Sequence, residues 1–307
     1  MSKKKASFTA QGLAYMRAYH AMHDNPKIFD DSLAYHLFTE DERAFFENAW
    51  TQVPKLYDPE RAASLPDRAA AIAWTLQTIT PGPSMTLGRS RYTEENLEKA
   101  VGQGSKQYVI LGAGFDTFVF RRPEMLEKLQ VYEVDHPATQ AFKRDRLAKA
   151  GWEQPVQLHF VPVDFEQESL AEALTRSSYD PQARSFFSWL GVTYYLTRDA
   201  VFTTLRTIAN LAPAGSAVIF DYLDTDAFIP EKAAKRVKIL IRDTRQVADE
   251  PMITGFDPSA LAADLARLGL RLQENLNPFD IEKRHFRGRK DGYYPCEHQH
   301  YALAVVE

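Results

Sequence analysis

Gly112-Ala113-Gly114 follows the apolar run Tyr108-Val109-Ile110-Leu111, and an acid and a hydroxyl, Asp116 and Thr117, come directly after it. Glycines at the exit of a buried strand let a ligand approach the backbone, because no side chain stands in the way. Asp135 closes the next apolar run about 20 residues on, the spacing at which a carboxylate meets the hydroxyls of a ribose. Asp164-Phe165 closes a third run, and an acid beside an aromatic ring suits the amine and the face of adenine. Leu190-Gly191-Val192-Thr193 closes a fourth. Each feature alone has a plainer meaning: the glycine pair as a turn, either aspartate as the cap of the helix that follows. Their joint spacing favours a nucleoside.

The chemistry of the loop separates two nucleosides. A nicotinamide dinucleotide calls for Gly-x-Gly-x-x-Gly, whose last glycine lets the helix pack under the pyrophosphate. Thr117 stands at that position, and Asp116 would repel a pyrophosphate. S-adenosylmethionine has an adenosine, a sulfonium and an amino-acid end but no phosphate, and tolerates an acidic loop. Two readings stay beside the methyl-donor one: a nicotinamide-dependent oxidoreductase, and a non-catalytic module that binds S-adenosylmethionine.

The elements that must position these residues follow from hydrophobic periodicity. Residues 8 to about 100 carry apolar residues at helical spacing, in pieces set apart by Pro26, Pro54, Pro59, Pro66 and the run "TPGPS". From residue 107 short β-branched runs alternate with amphipathic stretches, the pattern of a parallel sheet with crossover helices on both faces. "DPSALAADLARLGL" opens with an Asp cap, and "RLQENLNPF" and "YALAVVE" read as two last strands joined by a long loop without a clear helix. The expected architecture is a Rossmann-like, doubly wound α/β fold with a seven-stranded sheet, an antiparallel last strand and a helical N-terminal lid. Residues 1–100 would form that lid and 101–307 the core, with a helical insertion at 224–256.

Composition narrows the setting. The chain has 307 residues, 45% hydrophobic and 25% charged, with a net charge of −4, which gives no electrostatic footprint for nucleic acid. Its single cysteine, Cys296, excludes an internal disulfide framework and fits a reducing compartment. The basic start Ser2-Lys3-Lys4-Lys5 leads into no apolar signal segment, and no apolar stretch reaches the ~20 residues needed to cross a bilayer. A cytoplasmic, soluble protein without membrane or nucleic-acid partners is the expectation. Cys296, His298 and His300 alternate as a strand would place them on one side, with His285 as a loose fourth ligand. Neutral histidines leading into an edge strand are the commoner case, so no metal is expected.

"VILGAGFDTFVFR", "YEVDHP" with Lys143 just beyond it, and "VPVDF", in that order, resemble the leucine carboxyl methyltransferase superfamily. These are class I S-adenosylmethionine-dependent O-methyltransferases, with bacterial members assigned to small molecules and polyketides. "TAQGLAYMRAYHAM…IFDDSLAYHL", "GRSRYTEENL" and "EPMITGFDPSAL" extend the likeness over most of the chain. The resemblance implies that Gly112 and Gly114 line the methionine part of the cofactor, that Asp135 holds the ribose, and that Asp164 and Phe165 flank the adenine. Arg89 would pair with the cofactor carboxylate, a task suited to a guanidinium fork, with Arg17 near the same end. Ala113, Asp116 and Leu190 complete the cofactor-contacting set. Leu190 departs from the family, which commonly has Glu-Gly where this chain has Leu190-Gly191; Asp116 or a backbone carbonyl would have to replace that glutamate.

The resemblance implies an acceptor that is a small molecule presenting a carboxylate or hydroxyl oxygen. A carboxylate needs no base, so no catalytic residue is assigned. Tyr194, Tyr195 and Tyr222 follow the fourth and fifth strands, where an acceptor would sit, with ordinary packing as the alternative. Lys232, Lys235, Arg236, Lys238, Arg242 and Arg245 give the insertion a basic cast, read either as a solvated face or as a greeting for an acidic acceptor.

Overall fold

The computed structural model describes residues 6–165, 167–246 and 248–307; the basic start at Ser2–Lys5 lies outside the described residues. Helices come first: α1 (Phe8–His23), α2 (Glu40–Tyr57), α3 (Pro59–Ala63), α4 (Arg68–Trp74) and α5 (Gly82–Gly102). Local chemistry fixes their ends. The Ser7 hydroxyl accepts the Ala10 N–H at the start of α1, and Thr39 and Glu42 form a reciprocal capping box at the start of α2. Pro54 does not end α2, which runs on to Tyr57. Pro54 lacks the N–H that would reach the Trp50 carbonyl, and the Thr75 hydroxyl donates to that carbonyl instead at 2.8 Å.

The alternating half then runs β1 (Gln107–Leu111), α6 (Phe118–Arg121), β2 (Gln130–Asp135), α7 (Pro137–Lys149), β3 (Leu158–Pro162), α8 (Leu170–Thr175), β4 (Ser185–Trp189), α9 (Arg198–Leu211) and β5 (Ala217–Leu223). α10 (Lys235–Gln246), α11 (Leu261–Ala266), β6 (Leu270–Leu276), α12 (Pro278–Ile281) and β7 (Gln299–Val306) complete it. The strands form one seven-stranded sheet in the order β3-β2-β1-β4-β5-β7-β6. β1 to β5 are parallel, and β7 runs antiparallel to both β5 and β6, so the last strand is the reversed one.

Both faces of the sheet are covered, which is why its central strands read as unbroken apolar runs. Val109 and Leu111 face a cluster with α8, α9 and α11; Tyr108 and Ile110 face another with α5 and α6. α1, α2 and α4 build a third cluster that reaches Phe115, just past the glycine turn. An ionic joint reinforces that contact. Buried Asp31 receives Arg17 Nε at 2.8 Å and the Thr117 hydroxyl, with Arg121 Nε at 3.4 Å. Arg17 also donates to the Phe115 carbonyl at 3.0 Å.

Two local expectations are corrected. Asp257 does not cap α11: its carboxylate takes the Ser259 N–H at 2.9 Å in a preceding turn, and the helix begins at Leu261. The connection after β6 is not helix-free either, since an Asn277 capping box starts α12, which continues as a wider π turn to Phe286. None of the described helices is long and apolar enough to cross a membrane.

Candidate functional site

Chain connections leave β1 in one direction toward β2 and β3, then return to its other side at β4. In an open parallel sheet such a reversal opens a crevice beyond the carboxyl ends of the strands. A cavity of about 1010 Å³ occupies it, lined by Gly112, Ala113, Gly114, Asp116, Asp135, Asp164, Phe165 and Leu190. Arg89 and Arg17 line it as well. Every cofactor-contacting residue expected from the sequence is therefore brought to one space.

The turn after β1 requires glycine. Gly112 and Gly114 have φ of 69° and 52°, and a Cβ on Gly112 would lie 2.6 Å from Val192 Cγ2. Asp135 closes the turn from the neighbouring strand: one carboxylate oxygen accepts the Gly114 N–H, the other the His136 N–H at 2.6 Å. Burial raises the Asp135 carboxyl above its ordinary range, and those two N–H donors pull against the rise. The cap of α7 is the His136 ring, not Asp135. Asp164 accepts the Gln167 side-chain amide at 3.0 Å, and the Phe165 ring stands 56% exposed at the rim.

Thr117, at the position of a third dinucleotide glycine, is buried with its hydroxyl given to Asp31. Nearby, Lys143 donates to Glu133 at 2.5 Å, both side chains fully enclosed. Burial pushes the Glu133 carboxyl up to about 7 against the pull of Lys143, and its Oε1 has no hydrogen-bond partner among the described residues.

At the opposite end α5 delivers Arg89, buried, whose Nη1 donates to the Tyr194 hydroxyl and to Asp221 Oδ2, each at 2.9 Å. Asp221 Oδ2 also takes Gln299 Nε2 at 2.7 Å, and Oδ1 takes the Gly191 N–H at 2.6 Å. Gly191 has φ of 74°, and a Cβ there would sit 2.8 Å from the Arg89 guanidinium carbon. The solvated-face alternative for Arg89 is thus excluded, while Arg91 meets it, pairing with Glu95 along the exposed side of α5 at 2.9 Å. Asp221 went unread in the sequence although a signal was there: a lone acid inside the apolar run "AVIFDYL".

The tyrosines need correction. Tyr222 does not line the cavity; its ring is in the core, stacked on His300, and its hydroxyl donates to Asn275 at 3.0 Å. Tyr194 is enclosed too, its hydroxyl held by Arg89, and burial raises it above the usual phenol range. Tyr195 is the member of the pair that faces the cavity, because the chain turns in a tight helical step at 193–195 and abandons strand alternation.

The insertion contributes in the opposite sense from its composition. None of its basic residues lines the cavity; Lys232 pairs with Asp226, Arg242 with Asp243, and Arg236 lies 3.7 Å over the Tyr294 ring. Glu250, Pro251 and Ile253 line it instead. His298 Nδ1 meets Asp224 at 2.8 Å while its Nε2 accepts the Ala234 N–H at 3.1 Å, so both ring nitrogens are engaged within the fold. Among the described residues no group of His, Cys, Asp and Glu side chains is placed to hold a metal ion.

Comparison with known proteins gives consistent matches. The family model described as leucine carboxyl methyltransferase matches residues 10–209. A Bacillus subtilis chain named as an S-adenosyl-L-methionine-dependent methyltransferase, YktD, is 37% identical over 99% of both chains. One of the same name class from Mycobacterium avium is 29% identical over 74% of this chain and 68% of its own. Among solved structures, a DUF574 family protein from Streptomyces avermitilis superimposes with a TM-score of 0.58 at 14% identity, covering 98% of each chain. One from Thermobifida fusca, titled as a methyltransferase, gives 0.56 at 15%, covering 81% of this chain and 89% of its own.

Proposed function

Because this chain belongs to the leucine carboxyl methyltransferase family, an enzyme transferring methyl from S-adenosylmethionine, we propose that it methylates a carboxylate or hydroxyl oxygen of a small molecule. The readings as a nicotinamide oxidoreductase and as a non-catalytic module give way to that membership.

One observation carries the finer reading. The cavity of about 1010 Å³ stands at the top of the ~300–1,000 Å³ range of small-molecule sites, room for a cofactor and a small acceptor together. The lining fits the cofactor. A Cβ on Gly112 would run into Val192 in the cavity wall, Asp135 is pinned beside the glycine turn and would take the ribose hydroxyls, and Asp164 with Phe165 would frame a flat heterocycle. Arg89, held charged by Asp221, is a cation in the wall suited to the cofactor's carboxylate.

The cofactor supplies an activated methyl group on a sulfonium. The protein has to line up the acceptor oxygen and keep water out. α1 closes one side of the cavity through Ala10, Leu13 and Arg17, and the 250–253 segment another. In this reading the helical N-terminal region and the 224–256 insertion act together as the lid. A carboxylate acceptor needs no proton removed; for a hydroxyl, the Tyr195 hydroxyl is a polar group present in the wall.

Calorimetric titration with S-adenosylhomocysteine tests the site, with saturable binding expected in the wild type and lost in Asp135→Ala. No binding to the wild type would overturn the reading. Labelled methyl transfer to paired carboxylic acids and phenols then sorts the acceptor, since methyl esters release methanol in base and methyl ethers do not.

A further inference from the structure

The amino-acid end of the cofactor bears an ammonium as well as a carboxylate, and the cavity must answer both charges. Arg89 answers the carboxylate. At the exit of β4, next to Arg89, stands the apolar Leu190, which cannot answer the ammonium.

The acids of the wall reduce to one. Asp135 and Asp164 belong to the nucleoside half, at the ends of β2 and β3. Glu168 is gripped by Arg176 through both oxygens, at 2.7 and 2.9 Å. Asp116 gives an oxygen to the Phe118 N–H at 2.7 Å, in the turn that opens α6. Asp199 is exposed on the first turn of α9. Glu250 is half-buried, and its carboxylate has neither ion pair nor hydrogen bond among the described residues.

The backbone carries Glu250 to the right place. Its segment is laced over the turn leaving β4: the Ile253 and Thr254 N–H groups donate to the Tyr194 carbonyl at 2.7 and 3.2 Å. The Thr254 hydroxyl donates to the Leu196 carbonyl at 2.5 Å. Tyr195, in that turn, feels Tyr194, Glu250, Arg89 and Asp221 together, after burial, as the influences on its hydroxyl. Arg89 in turn abuts Gly191, beside Leu190. Glu250, Tyr195, Arg89 and the β4 exit are one neighbourhood.

We propose that Glu250, reaching back from the segment after α10, holds the cofactor's ammonium opposite Arg89, which holds its carboxylate. This rests on the methyltransferase reading and names a subsite within it. A half-buried carboxylate facing an ammonium makes a charge-assisted hydrogen bond, stronger than a neutral one.

The test pairs two probes: S-adenosylhomocysteine and 5′-methylthioadenosine, which keeps the nucleoside and thioether but lacks the amino-acid end. Glu250→Gln is expected to weaken S-adenosylhomocysteine at least about tenfold and to leave 5′-methylthioadenosine unchanged. Adding Leu190→Glu to Glu250→Gln should recover part of the loss, because residue 190 faces the same space. Equal weakening of both probes, or of neither, overturns the assignment. Failure of the wild type to bind either probe overturns the methyltransferase reading with it, so the two failures are distinguishable.

Discussion

Arg89 and Asp221, 132 residues apart in sequence, meet at 2.9 Å beneath the turn that leaves β4, both enclosed. Asp221 does more than neutralise Arg89: its second oxygen fixes the Gly191 N–H, so the cation and the floor of the cavity are set by one carboxylate. Removing one partner of a buried pair strands the other charge and costs about 3–5 kcal/mol. Asp221→Asn should therefore lose stability on that scale in urea unfolding and also weaken S-adenosylhomocysteine. An Asn variant as stable as wild type would show that the pair is not what holds Arg89.

Gly191 offers a second handle on the same joint. Alanine there must adopt a φ of 74° and place its Cβ 2.8 Å from the guanidinium carbon. Overpacking and backbone strain together cost about 1–3 kcal/mol or more. Gly191→Ala should lower the midpoint of thermal unfolding and displace Arg89 from its seat, read as weaker cofactor-product binding.

Tyr222→Phe should behave oppositely. The ring stays packed against Phe256 and His300, and only the bond to Asn275 is lost. A net loss of about 1 kcal/mol is expected, with S-adenosylhomocysteine affinity unchanged. A marked loss of affinity would put Tyr222 back in the site.

Glu133 makes stability depend on pH. Its carboxyl, 4.5 when unfolded, is pushed up to about 7 by burial, so the folded state holds a proton that the unfolded state has released. The stability this lends is complete below about pH 4.5 and is lost as pH rises through about 7. Unfolding free energies of wild type relative to Glu133→Gln/Lys143→Met should fall across that window. A flat difference would mean that Lys143 keeps Glu133 ionised throughout.

How much of this was legible follows from what each residue needed. The glycine turn, Asp135 and Asp164 sit at ends of apolar runs, and run ends are visible in a sequence. The doubly wound parallel sheet with its reversed last strand follows from the same alternation, whereas the order of its strands is set by pairing in space. Partners that close in space are invisible by spacing: Asp31 for Arg17, Asp221 for Arg89. Tyr194 and Tyr195 exchange roles because a tight helical step at 193–195 replaces the strand's two-residue alternation. The insertion misled through composition. Its basic side chains lie outside the cavity, and its charged contribution to the wall is an acid, Glu250.

The place of β7 bears on how the protein is made. It fills the slot between β5 and β6, yet it follows both in the chain. On the ribosome β5 therefore emerges with one side unsatisfied, and β6 has no strand to pair with until residues 299–306 appear. Asp221 waits as well, since Gln299 is one of its donors. The cavity's charged floor is thus among the last parts to set during synthesis. Until then the open strand edge is a surface for mispairing.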